Sequence, residues 1–175
     1  MNDHFDRLGL PRRFALDSAA VERAYVARSR AVHPDYHLSG SSAELAASLE
    51  LSAALNEAYN ALRDPFTRAE YLLTLEGGPT AAEHKQIPAA FLAEMLELRE
   101  QVEEARAGCP DDAAVLAADF GRRYDDLLAG IEEKFAEFEQ LAADDPRRPW
   151  LLAEVRGQLN AAKFVRGLIR DLHAD

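Results

Sequence analysis

His33, Asp35 and His37 place two imidazoles and a carboxylate within five residues. Such a triplet could hold a divalent metal, and His33 with Asp35 could work as an acid/base pair near neutral pH. A metal-dependent hydrolase is therefore one reading of the chain. A catalytic constellation needs a further member, and the remaining residues do not supply one. Cys109 is the single cysteine and has no histidine beside it, no glycine-rich phosphate loop is present, and His4, His84 and His173 are scattered as exposed polar residues would be. One thiol also excludes an intramolecular disulfide, a cysteine-rich zinc site and a thiolate-held cluster on one protomer. The expectation is a protein of a reducing compartment with no cofactor, no metal and no enzymatic activity of its own.

Pro34 decides how the triplet is presented. Proline disfavours the α conformation in the residue before it, so His33 should leave its helix and open a loop through Asp35, Ser39, Gly40 and Ser42. The elements on either side must then position that loop. Ala, Leu, Glu and Arg dominate the 175 residues, β-branched residues are sparse and no alternating strand pattern persists, so the chain reads as all-helical. A short helix is expected over about 3–8, ended by Gly9 and Pro11. A second, capped by Asp17 or Ser18, should run to Val32, a third from about Ala43 to Arg63, and a fourth from Phe66 to Leu75 after the Asp64-Pro65 break. Gly77, Gly78 and Pro79 mark a boundary. Beyond it Pro88 can open a helix to about Ala107, Asp111 or Asp112 another to about Ala143, and a last one should run from Trp150 to Leu172 after breaks at Pro146 and Pro149. The expected organisation is a first domain over 1–75, a linker over 76–86 and a three-helix bundle over 87–175.

Charge separates the two parts. The net charge is -11; residues 1–75 carry 8 basic and 10 acidic side chains, and residues 76–175 carry 12 and 21. Phosphate binding depends on a basic surface that releases counterions, so nucleic acid is not an expected partner. No stretch approaches the ~20 apolar residues that span a bilayer, and the first residues resemble neither a secretory signal nor a transit peptide. A cytoplasmic protein without membrane contact is expected.

The tripeptide His33-Pro34-Asp35 alone is weak evidence; its setting gives it force. Phe5, Leu8, Gly9 and Leu10 precede it, and Leu55-Asn56-Glu57-Ala58-Tyr59-Asn60-Ala61-Leu62-Arg63-Asp64-Pro65 and Arg68-Ala69-Glu70-Tyr71 follow. The whole pattern resembles the J-domain, an antiparallel helical hairpin with an HPD loop. The resemblance implies that His33, Pro34 and Asp35 dock on a DnaK-class chaperone and promote its ATP hydrolysis without being catalytic. A proline-fixed loop suits this, since it presents the Asp35 carboxylate to a chaperone arginine at little ordering cost. Arg23 and Arg30, seven apart on one face of the second helix, could meet an acidic chaperone patch, although a solvated face has the same spacing. Two positions depart from the pattern: Arg28 stands where an apolar residue is usual, and Tyr36 follows Asp35 where a lysine is common. The stem of Arg28 must pack while its guanidinium reaches out, or the helix must be slightly rotated.

The second part carries no Gly-Phe tract and no zinc ribbon. Its segment Ala90-Phe91-Leu92-Ala93-Glu94-Met95-Leu96-Glu97-Leu98-Arg99-Glu100 is similar to the HscB family, the J-proteins dedicated to iron-sulfur cluster assembly, as are Arg68 to Leu73, the length and the domain order. Phe91, Met95, Leu98 and Val102 share a stripe that should face the bundle core. Leu92 and Leu96 fall beside it and, with Glu97 and Glu100, would make an apolar strip edged with acid, suited to a partner with its own apolar patch and basic groups. A core stripe wide enough to absorb both leucines is the plainer reading. The resemblance implies that this strip receives the cluster scaffold IscU and that the chaperone is the specialised HscA; weak self-association is left open by the sequence. A J-domain protein for a different client remains the alternative. Ala93 and Asn160 stand where larger apolar or aromatic residues occur in some relatives, which weakens or shifts the expected client surface.

Overall fold

The computed structural model describes residues 3–32, 41–84, 89–108 and 110–173, with backbone only at 89–92 and 110. The described residues form helices and no strands: α1 (His4–Leu8), α2 (Ser18–Ala31), α3 (Ser42–Arg63), α4 (Pro65–Leu75), α5 (Ala89–Ala107), α6 (Pro110–Gln140) and α7 (Arg148–Leu172). They divide into two compact units, Met1–Leu72 and Leu73–Asp175. None of these helices is long and apolar enough to cross a membrane.

In the first unit, α1 is only five residues long, too short to persist without help. Asp3 supplies it: its carboxylate accepts the Asp6 amide (2.9 Å), and the Asp6 side chain answers the Asp3 amide in a reciprocal capping box. Gly9 ends the helix at φ 64°, a left-handed conformation that other residues adopt at a cost. The two apolar side chains of α1, Phe5 and Leu8, are buried with Phe14, Val21, Leu55, Ala58, Leu62, Phe66, Ala69 and Leu72. Helix α1 packs on α2 and α3, and α2 packs on α3. Between the last two, the Tyr25 and Tyr59 rings stack at 4.3 Å while the Tyr25 hydroxyl donates to Asn56 Oδ1 at 2.7 Å.

Arg28 does not enter the core. Its side chain is exposed, and its guanidinium lies over Gly9, where any Cβ would collide with it. Glycine thus serves twice at position 9, and a cation comes to rest at the carbonyl end of α1, where it is favourable.

Arg68 is a charged residue left only 2% exposed. Its Nε donates to Leu62 O at 2.8 Å, and its Nη1 donates to Phe14 O at 2.9 Å and Leu16 O at 3.0 Å. One side chain from α4 therefore ties the irregular 14–16 segment to the end of α3. Asp64 both closes α3 and caps α4, accepting the Thr67 amide at 2.9 Å, with Pro65 at the first helical position where its missing N–H costs nothing.

In the second unit α5, α6 and α7 pack pairwise into a three-helix bundle. Leu98, Val102, Phe120, Val165 and Leu168 form a core cluster with Leu116, Tyr124, Leu127 and Phe164 against it. Two boundaries differ from expectation. Helix α6 ends at Gln140 rather than near 143, because the chain turns at Leu141, whose amide donates to Phe138 O at 3.3 Å, and Arg148 Nη1 donates to the carbonyls of Phe138 (3.4 Å) and Leu141 (3.3 Å). Helix α7 starts at Arg148 rather than Trp150, with Pro149 inside its first turn and not before it.

The described part of the expected linker lies along α7. Arg148 pairs with Glu76 (3.5 Å), Arg156 Nε donates to Pro79 O (2.9 Å), and Asn160 Nδ2 donates to His84 O (3.2 Å). These α7 residues are eight and four apart and so share one face.

Two stability predictions follow from the first unit. Replacing Arg68 with Met should cost about 3 kcal/mol in urea unfolding, because three carbonyls lose the guanidinium, although that of Phe14 keeps a second donor, the Leu16 amide, and Arg68→Lys should recover only part, since an ammonium cannot fork as a guanidinium does. Asp3 gives the second. Burial pushes its carboxyl up, but the Asp6 amide and the Arg12 guanidinium outweigh this and hold it below the usual range. A depressed folded-state value means a contribution present above the unfolded value of about 3.9 and lost as pH falls through the folded one. Asp3→Asn, which keeps a competent cap, should therefore be less stable than wild type at pH 7, and the difference should close as pH drops below about 4.

Candidate functional site

The loop residues His33, Pro34 and Asp35, with His37, lie outside the described residues, so what the structure shows is their frame. Helix α2 ends at Val32, whose carbonyl accepts Ser48 Oγ at 2.7 Å and Ser52 Oγ at 3.3 Å. Both serines come from one face of α3, four residues apart. On the far side, Ser41 caps α3: its hydroxyl accepts the Glu44 amide (3.3 Å), and Glu44 Oε2 accepts the Ser41 amide (2.7 Å). The chain is thus hydrogen-bonded immediately before residue 33 and immediately after residue 40. Arg23 and Arg30 are both exposed on α2, and Arg23 reaches back to Asp17, the α2 cap, at 3.4 Å. The serine anchors were not recognised from sequence. Their only signal is a pair of hydroxyls at i, i+4 on one face of α3, a pattern that by itself does not say which carbonyl they meet.

On α5 the two stripes separate as expected. Leu98 and Val102 are buried, Met95 is half-buried, and Leu96 is 66% exposed beside exposed Glu97 and Glu100. Leu92 falls within α5, but its side chain, like that of Phe91, is outside the described residues. The core therefore does not absorb Leu96. Glu94 on the same helix pairs with Arg123 of α6 at 2.8 Å, and Arg99 lies over the Phe164 ring of α7 at 5.8 Å. Ala93 is exposed, and Asn160 faces the 76–84 segment through His84 O. Asn160 thus has a structural partner of its own. Among the described residues no group of three His, Cys, Asp or Glu side chains could hold a metal ion.

The arrangement has two parts: a pair of helices hydrogen-bonded at Val32 and at Ser41, on either side of the His33-Pro34-Asp35 stretch, and a bundle that leaves a leucine exposed among acids. Comparisons with known proteins agree with both. Residues 87–148 match the profile of the HSCB C-terminal oligomerisation domain. The HscB co-chaperone homolog of Bordetella petrii is 38% identical over 173 residues, covering 95% of this chain and 98% of that one. That of Ralstonia nicotianae is 40% identical over 141 residues, 79% of this chain and 74% of that one. The chaperone HscB from Vibrio cholerae superposes with a TM-score of 0.80 at 26% identity, over 98% of this chain and 95% of that one. Human co-chaperone HscB superposes at 0.82 over 98% of this chain and 80% of that one; at 22% identity it speaks to the fold alone. With such relatives along nearly its whole length, the chain belongs to the HscB family of J-domain co-chaperones that serve iron-sulfur cluster assembly.

Proposed function

We propose that the protein stimulates ATP hydrolysis by the DnaK-class chaperone HscA through His33, Pro34 and Asp35, with Arg23 and Arg30 as flanking contacts, and delivers the scaffold IscU on α5. In this reading it acts in the cytoplasm as an activator and adaptor, and the chemistry belongs to the chaperone. The observation that carries the client half is Leu96, 66% exposed on a helix whose neighbouring stripe is buried, with Glu97 and Glu100 beside it. An exposed leucine edged by carboxylates suits a partner that brings an apolar patch and basic groups. The chaperone half is supported by the frame: Val32 and Ser41, the residues that bracket the 33–40 segment carrying Asp35, are both hydrogen-bonded, which lowers the ordering cost of docking. The family description for 87–148 speaks of oligomerisation, which supports weak self-association of this half.

Steady-state ATP hydrolysis by HscA tests both halves. Wild-type protein should stimulate it, His33→Gln should not, and IscU should raise the stimulation further. Leu92→Ala with Leu96→Ala should keep the basal stimulation and lose the added effect of IscU. Stimulation indifferent to IscU would leave the J-domain reading and remove the client; no stimulation at all would remove the central claim.

The frame makes its own prediction. Ser48→Ala with Ser52→Ala takes both hydroxyls from Val32 O, and the loop then departs from an unanchored α2 end. Stimulation should fall several-fold, by the order expected for one or two lost hydrogen bonds, while IscU binding measured by calorimetry stays at the wild-type value.

A further inference from the structure

The first two turns of α6 carry a feature that the reading above does not use. Val115 is 71% exposed, although Leu116, Phe120, Tyr124 and Leu127 on the same helix face the bundle core. One valine in water is ordinary. Here, however, it stands in a groove of about 540 Å³ between α5 and α6, floored by Val115, Leu116 and Ala105 and edged by Glu104, Asp112 and Asp119. The three carboxylates are not equivalent. Asp119 is neutralised by Arg122 (3.0 Å) and Arg123 (3.4 Å), whereas Glu104 and Asp112 meet no cation among the described residues. An apolar floor therefore lies between Glu104 of α5 and Asp112 of α6, with Gln101 and the Asp119-paired Arg122 completing the lining.

The groove is continuous with the α5 strip. Glu100 and Glu104 are one turn apart, so the acidic margin that begins at Glu97 and Glu100 beside Leu96 runs on into the groove. We propose that the α5–α6 groove is a second part of the client surface, in which the scaffold seats a segment with one apolar side chain against Val115 and flanking Lys or Arg side chains against Asp112 and Glu104. This rests on the proposal that IscU is the client. Opposite charge on the two partners sets approach and register, and the apolar contact supplies the desolvated centre. The Asp112 carboxylate has another role available, since acids in a first turn favour the helix N-terminus. That role alone leaves Val115 and Glu104 unexplained.

The test is titration of the full-length chain with purified IscU by calorimetry, at low and at moderate salt. The variants are Val115→Glu, Val115→Ser, Asp112→Asn and, for the α5 strip, Leu96→Ala. Val115 and Leu96 are exposed helix positions, and asparagine is tolerated near a helix start, so helicity by circular dichroism should match the wild type in all four. Val115→Glu should weaken binding roughly tenfold and Val115→Ser roughly fivefold, as a central contact does. Asp112→Asn should weaken it several-fold and flatten its salt dependence. If the three groove variants bind as wild type while Leu96→Ala is weakened, the groove proposal is overturned and the α5 client strip stands. If wild-type protein binds no IscU, both fall. If the groove variants weaken binding and Leu96→Ala does not, the client sits in the groove and the assignment of the α5 strip is the one that fails.

Discussion

Wherever the chain leaves a helix under cover of another element, its carbonyls still need donors, and that requirement shapes both units. Side-chain hydrogen bonds from helices answer it. Arg68 takes the carbonyls of Phe14, Leu16 and Leu62; Arg148 takes those of Phe138 and Leu141; Arg156 and Asn160 take those of Pro79 and His84. Ser48 and Ser52 do the same for Val32. A buried carbonyl without a donor loses about 1–3 kcal/mol, comparable to the burial of a large apolar side chain, so each donor fixes a connection as firmly as a core residue fixes a helix. Arginine suits the task because its planar fork reaches two or three acceptors at once while its stem packs among apolar groups.

This explains which parts of the structure were legible in sequence. Helix starts and stops are written in local chemistry: Asp17, Gly9, Asp64-Pro65 and the Gly77-Gly78-Pro79 run each act on their nearest neighbours, and the structure follows them. Pro149 was misread because proline is equally at home before a helix and in its first turn, and only the start of α7 at Arg148 decides between them. The end of α6 depended on Arg148, a residue across the turn. Arg68 is the sharpest case. It was noticed as part of a recognisable string, yet nothing in the spacing of charges says that this arginine, and not Arg63 or Arg30, is the buried one. Burial of a cation is decided by carbonyls that are distant in sequence, 52 and 54 residues away for Leu16 and Phe14.

The candidate sites divide along the same line. The end of α2 just before residue 33 is legible because Pro34 acts locally, and the exposure of Leu96 on α5 because a helical period sorts it from Leu98 and Val102. The anchors of the loop are not legible, since a serine in a helix can point to solvent, to its own turn or to a neighbour. The same holds for Asn160. Read along the sequence it is a departure at a client position, whereas in the structure it holds the chain at His84 and so belongs to the scaffolding of the bundle.

The exposed side chains of α5 and α6 are best understood as hydrophobic free energy that folding does not use. Burying a leucine or valine contributes roughly 1.5–3 kcal/mol. The bundle collects this from Leu98, Val102, Phe120 and Val165 but not from Leu96 or Val115, which stay 66% and 71% exposed. A surface that keeps such groups in water invites association with any apolar partner. The acids around them narrow the choice: Glu97 and Glu100 beside Leu96, and Glu104 and Asp112 beside Val115, repel other acidic surfaces. Selectivity here comes from repulsion as much as from fit. On the proposed reading, a partner gains the apolar contact only if it also brings cations to the margins, and that condition would turn a leucine left in water into a recognition element.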